Sequence, residues 1–257
     1  MSAQQGHPRS QFNLALLPTT DPAQSKHLLQ TLVLHKSSVQ AKALVALGDL
    51  TLPTDAVEAA ALYQLSATLH YAVGQFRFGT CLIQGIGVDK NVVLGLHQCT
   101  LACRQNLSAA EVYLGTLHAH GKGGALSVNQ GDRSAVHWWT KAAQHGHPNG
   151  QYLLGKAILH RRGGLIRNED RATRLFASSA LQNHTKAQCE LGTCYYHGIG
   201  TAQNYRKAAE WYTQAAHKGN KRARECLNVM HALGLDCPLH FPVHLRNYVR
   251  EEFALKC

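Results

Sequence analysis

Eight cysteines and seventeen histidines in 257 residues are the side chains here that could ligate a metal, pair as disulfides or serve as nucleophiles and bases. Zinc sites and redox pairs use cysteines two residues apart, and no Cys-x2-Cys occurs. The nearest approach to a ligand cluster is His97, Cys99 and Cys103. Cys99 and Cys103 share a helical face at i, i+4, whereas His97 points elsewhere. No His-Glu-x-x-His, Gly-x-Ser-x-Gly, phosphate-cradling loop or Ser-x-x-Lys is present. The fifteen carboxylates offer no pair spaced for acid–base work. The chain therefore reads as non-enzymatic, with no cofactor, no metal and no small-molecule substrate.

What positions these side chains is a repeat. A Leu-Gly step recurs as Leu47-Gly48, Phe78-Gly79, Leu114-Gly115, Leu154-Gly155, Leu191-Gly192 and, degraded, Leu227-Asn228, at spacings of 31, 36, 40, 37 and 36 residues. A second half repeats with it: Ala59…Leu62-Tyr63…Ser66-Ala67, Gly95…Gln98-Cys99…Ala102-Cys103, Ala135…Trp138-Trp139…Ala142-Ala143, Ala172…Leu175-Phe176…Ser179-Ala180 and Ala208…Trp211-Tyr212…Ala215-Ala216. Apolar residues at i, i+3, i+4, i+7 and i+8 make both halves amphipathic helices. In the best-formed unit the first helix spans about 186–197 and ends at Gly198, and the second ends at Gly219. A hairpin of two such helices buries one face only by pressing on the next hairpin, and the small residues permit close approach.

These residues resemble Sel1-like repeats, relatives of the tetratricopeptide repeat whose hairpin linker carries Gly-x-Gly. The match covers about 38–234. It departs from the pattern at Arg161-Arg162-Gly163-Gly164, where Gly-x-Gly is expected, and at Leu52-Pro53-Thr54-Asp55, which has no glycine turn. The resemblance implies an all-α, right-handed α/α solenoid of about five helix-turn-helix repeats that scaffolds protein–protein contacts. Residues 1–37 would form a tail and capping helix, 38–234 the repeats, and 235–257 a C-terminal capping or docking helix. For the first, Asp21-Pro22 starts a helix striped with Leu28, Leu29, Leu32 and Val33; for the last, a helix runs from about 243 with Leu245, Tyr248, Val249 and Phe253 on one side.

The repeat register also reassigns the cysteines and histidines. Cys81, Cys99, Cys103, Cys189 and Cys194 stand where other units carry core residues, which leaves Cys226, Cys237 and Cys257 outside that explanation. Asn106 and Asn183 align with Gly146 and Gly219, so their sequons read as left-handed helix caps. His120, His160 and His197 share the end of the first helix, where a histidine favours the helix dipole. Some Sel1-like proteins carry a disulfide between consecutive hairpins; the matching positions here hold no cysteine pair. Reduced thiols point to an intracellular and first of all cytoplasmic protein. Met1 to Thr20, with one arginine and no acidic residue, reads as a disordered polar tail, with a mitochondrial presequence as its alternative. No apolar run reaches the roughly 18–20 residues that span a bilayer.

Two surfaces remain as binding candidates. On the first helix of each hairpin, the positions two before, one after and five after the glycine form an outward column that the framework does not claim. It comprises Arg77, Thr80, Gln84, Tyr113, Thr116, His120, Leu153, Lys156, His160, Glu190, Thr193 and His197. In related repeats these helices line a concave groove, so the column is the candidate seat for a protein segment, anchored at Tyr113 and Leu153. The second surface is basic. Residues 1–120 carry 7 basic and 6 acidic side chains, and residues 121–257 carry 19 and 9. Arg161, Arg162, Arg167, Arg171, Arg174, Lys218, Lys221, Arg222 and Arg224 concentrate this excess. Such a patch draws an acidic protein or, as the alternative, an RNA backbone; no aromatic interleaving accompanies it for stacking bases.

Overall fold

The computed structural model describes residues 7–34, 39–121 and 128–235, without the side chains of Val128 and Asn129. Among the described residues every regular element is helical: α1 (Pro8–Ala15), α2 (Pro22–Leu34), α3 (Gln40–Thr51), α4 (Ala56–Thr68), α5 (Ala72–Gln84), α6 (Val92–Arg104), α7 (Ser108–Ala119), α8 (Val128–Gln144), α9 (Pro148–Leu159), α10 (Glu169–Leu181), α11 (Thr185–His197), α12 (Tyr205–His217) and α13 (Lys221–Ala232). The chain forms two compact units, residues 1–114 and 115–257, with the boundary inside α7. The C-terminal helix expected from about 243 lies outside the described residues.

Each helix starts and stops where local chemistry dictates. Asp55, Asn91, Asn168 and Asn204 cap α4, α6, α10 and α12 by accepting amide hydrogen bonds from the first turn. Apart from α3, which ends at right-handed Leu52, the first helices of the hairpins end in a left-handed residue six positions after the place of the repeat glycine: Gly85, Gly121, Gly198 and, in the degraded last unit, Gly234. Arg161 fills the same place at φ 54°. The segment 161–163 therefore keeps the geometry of the Gly-x-Gly turn with an arginine in its first position. The second glycine has a different task. Gly87, Gly163 and Gly200 each lie against the start of the preceding second helix, at Ala56, Asp132 and Glu169, with no room for a Cβ. At the ends of the second helices His70, Asn106, Gly146, Asn183 and Gly219 are all left-handed, so the asparagines act as the caps their register implied.

The Leu-Gly step has a direct packing cause. A Cβ on Gly155 would stand 2.7 Å from the Phe176 ring, one on Gly192 2.8 Å from Tyr212, and one on Gly48 2.6 Å from Tyr63. Gly115 faces Trp139 in the same manner. The glycine is a socket for the aromatic ring of its partner helix. Where the ring is replaced by Cys99, the helices come closer: Gly79 lies against the Gly95 carbonyl, with 2.9 Å left for a Cβ. Tyr63 and Tyr212 keep their hydroxyls paired, donating to Asp49 at 2.6 Å and to Thr193 at 3.0 Å. Burial holds both phenols protonated far above the ordinary tyrosine range.

In the first unit, Ala15, Leu29, Leu32, Ala43 and Leu47 form one core cluster, with Phe12 packed on it. Residues 8–15 are thus a helix, started by Pro8 and docked through Ala15, rather than the disordered tail expected for them. The α2 stripe does what its sequence implies, with Leu29 and Leu32 fully buried. In the second unit the core runs through Trp139, Leu154, Ile158, Phe176, Leu191 and Cys194, and a further cluster joins Cys189, Tyr212, Cys226 and Met230. Cys226 is therefore a core residue too, which its place outside the repeat register had hidden.

Candidate partner-binding face

The outward column is less free than its register suggested. In the first unit Arg77 pairs with Asp49 at 3.2 Å, and Thr80 donates to the Arg77 carbonyl at 2.7 Å. Tyr113 meets Phe76 edge-on, with ring centroids 5.6 Å apart, and is half-buried, while Gln84 is exposed. In the second unit Thr116 is half-buried, His120 is exposed with its Nδ1 2.7 Å from the Thr116 carbonyl, and His160 is exposed just past the end of α9. Leu153 packs partly on the core, and His197 ends α11 beside Tyr196.

Glu190 corrects the expectation most. It is only 9% exposed and accepts from Lys156 at 3.3 Å and from Arg222 at 3.1 Å. These three side chains come from α9, α11 and α13. The position after one glycine thus reaches the position two before the next, as Asp49 reaches Arg77 with the charges reversed. Thr193 beside it accepts from Tyr212 and donates to the Cys189 carbonyl at 3.1 Å. The column stitches successive first helices together as well as facing solvent.

The basic patch is also partly spent. Arg162 pairs with Asp132 and lies over the Trp139 ring, Arg167 pairs with Glu169 at 2.6 Å, and Arg174 pairs with Asp170 at 2.6 Å. Arg222 belongs to Glu190. Lys218 donates to the Asn183 side chain at 2.9 Å and to Gln188 at 3.2 Å. Arg161, Arg171, Lys221 and Arg224 are exposed and make no ion pair among the described residues. The nine cations are therefore not one continuous field.

The Lys218 contact belongs to a tie that the sequence reading missed. Gln105 donates to the His70 carbonyl at 3.0 Å and to Gln75 at 2.9 Å. Gln182 donates to the Gly146 carbonyl at 2.9 Å and to Gln151 at 3.0 Å. In each case the last residue of one hairpin before its left-handed cap satisfies the cap carbonyl of the hairpin before it and a buried glutamine. The signal was present as glutamine at 75, 151 and 188, one register position repeated on an otherwise apolar helix face.

The six described cysteines are buried and form no disulfide. Burial pushes the Cys99 thiol up to about 12 and the Cys194 thiol up to about 11, so neither is a nucleophile at neutral pH. His97 is exposed while Cys99 and Cys103 are buried, so the three do not converge. Cys237 and Cys257 lie outside the described residues.

The sockets, left-handed caps and glutamine ties thus recur hairpin after hairpin. The Sel1 repeat family matches residues 41–71, 72–107, 108–147, 148–184 and 185–220. The chain is a Sel1-repeat protein. Its fold class is the all-α solenoid of that family. A crystal structure of a Sel1 repeat protein from Oxalobacter formigenes superposes with a TM-score of 0.77 at 26% identity, covering 89% of this chain and 68% of that one. The c5321 antigen of uropathogenic Escherichia coli, at 22% identity, shares the fold with a TM-score of 0.74, covering 99% of this chain and 55% of that one. Among curated proteins the Sel1-repeat chain is 27% identical to chitin synthase regulatory factor 3 of Schizosaccharomyces pombe over 66% of its own length and 19% of that protein's. It is 28% identical to mouse DAP3-binding cell death enhancer 1 over 72% of its length and 36% of that protein's. This Sel1-repeat chain thus spans about a fifth to a third of those two relatives. No helix among the described residues is long and apolar enough to cross a membrane.

Proposed function

We propose that this Sel1-repeat protein is a non-enzymatic adaptor that seats an extended segment of a protein partner along the exposed side of its first helices. The observation that carries the reading is a contrast within those helices. The framework positions repeat the same sockets and caps, and the outward positions one and five after the glycine stay mostly threonine and histidine, whereas the position two before the glycine changes chemistry from hairpin to hairpin: Arg77, then Tyr113, then Leu153, then Glu190. A surface that varied only with solvent would favour charged side chains throughout. Half-buried Tyr113 and Leu153 have the character of anchors, apolar bodies with one side still open to a partner. Two relatives whose names describe a regulatory factor and a binding protein fit the same role.

An acidic partner suits the excess of positive charge after residue 120. RNA is the rival occupant of that charge, through Arg161, Arg171, Lys221 and Arg224. Affinity purification with mass spectrometry, comparing the wild-type chain with Tyr113→Ala and Leu153→Ala, tests the reading. Loss of one companion by variants that keep their helical circular dichroism supports it. An unchanged companion set refutes it. Salt-steep RNA binding abolished by reversing the four free cations would transfer the function to RNA.

A further inference from the structure

Second helices of a repeat stack turn their outer face to solvent and are normally charged there. In the second unit α10 and α12 obey this: Asp170 and Arg174 pair at i, i+4 on one, and Arg206 lies 3.8 Å from Glu210 on the other. The corresponding positions in the first unit are Val57 and Ala61 on α4, and Val93 and His97 on α6. Val57 is 67% exposed and Val93 81%, and Leu65 and Leu94 stand exposed on the same two helices. Nothing in helix formation requires valine at these sites; its β-branched side chain is no better a helix former than the Asp170 at the matching position of α10 and poorer than the Arg206 of α12. Two successive helices thus present an apolar outer face that none of the described residues covers.

From this we infer that the outer faces of α4 and α6 form an isologous interface between two copies of the chain. Charge selects the occupant. The chain carries a net charge of +11, but residues 1–120 hold 7 basic and 6 acidic side chains, so two copies meet with little repulsion only through this end. On α4 the sole charge is Glu58, in its first turn, and on α6 the sole charge is Arg104, in its last. Both are exposed, and neither makes an ion pair among the described residues. A two-fold axis running between the helices brings Glu58 of each copy to Arg104 of the other, with Val57 beside that pair and the Val93 and Leu94 end of α6 meeting the Leu65 end of the partner's α4. The pairing sets the orientation, and the exposed apolar side chains supply the association.

Sedimentation velocity and light scattering on the full chain over a concentration series test the interface. Wild type is expected to dimerise, and Val57→Ser with Val93→Ser to be monomeric with the melting curve of wild type diluted until it too is monomeric, since both side chains are outside the core. Glu58→Arg alone weakens the dimer at least tenfold, and Glu58→Arg combined with Arg104→Glu restores it. The groove substitution Leu153→Ala leaves the dimer intact, so failure here is separable from failure of the adaptor reading. A wild-type chain that stays monomeric at all concentrations overturns the inference, as does a dimer indifferent to the valine pair or a charge swap that fails to rescue. A monomer whose valine face instead retains a foreign protein or lipid vesicles assigns the face to that occupant and equally overturns self-association.

Discussion

Gly163 and Gly164 are neighbours in one turn, both left-handed at φ 62° and 81°, yet they face different surroundings. A Cβ on Gly164 meets nothing within 4 Å, while a Cβ on Gly163 would sit 2.8 Å from the Asp132 carbonyl oxygen and 2.9 Å from a Val136 methyl. Alanine at 164 therefore carries only the left-handed penalty, about 1–2 kcal/mol. Alanine at 163 carries the same penalty and must also push the turn off α8, adding about 1–3 kcal/mol of overpacking. The two variants should differ by about 2 kcal/mol, or about 4–8 °C in melting midpoint for a chain of this size. Thermal and urea unfolding followed by far-ultraviolet circular dichroism read the difference directly. Equal losses in the two variants would refute the argument that the second glycine exists for close approach, leaving only its backbone conformation as the reason.

Gln182→Ala removes the hydrogen bonds to the solvent-exposed Gly146 carbonyl and to Gln151, and is expected to cost about 0.5–1.5 kcal/mol in urea unfolding, with Gln182→Glu no better because it loses the donor. Glu190→Gln leaves Lys156 and Arg222 facing each other and should destabilise by about 1.5–3 kcal/mol, a loss that high salt reduces in a melting series. Burial, Lys186 and His147 lower the pKa of His184, whose Nδ1 also accepts the Ala187 amide hydrogen bond. Its neutral form stabilises the fold, so stability is fully present above the ordinary value of 6.5 and falls as the pH drops below it; His184→Asn should flatten that limb of a melting-point profile. The raised thiols act at the other end: Cys99 and Cys194 stay protonated when folded, so stability is complete below about pH 9 and declines as the pH rises toward 11–12. At neutral pH, mass spectrometry after alkylation of the native chain should find both unmodified.

Much of this architecture could be read before any coordinates because the constraints recur. The Leu-Gly step, the alanine pairs and the capping role of Asn106 and Asn183 each appear several times at one register, and repetition separates a structural demand from chance. The same logic placed five cysteines in the core. What escaped was either unrepeated or disguised. Helix α1 occurs once and is held by Ala15 and Phe12, which a composition reading of residues 1–20 does not see. Arg161 performs a glycine's task, so the turn looked broken where its geometry is kept. Glu190 sits at an outward position by helical angle, but Lys156 and Arg222 close over it from neighbouring helices. The face of α4 and α6 was missed for the opposite reason: its oddity is a lack of charge, visible only against the charged outer faces of α10 and α12.

The glutamine ties fix partners by register alone. Gln182 finds Gly146 and Gln151, and Lys218 finds Asn183 and Gln188, each always one hairpin back. Excising 148–184 would therefore bring Gln188 to the place of Gln151 and offer Lys218 the carbonyl of Gly146. The hairpin ties are thus interchangeable between modules, while the same excision removes Lys156 and leaves Glu190 to Arg222 alone.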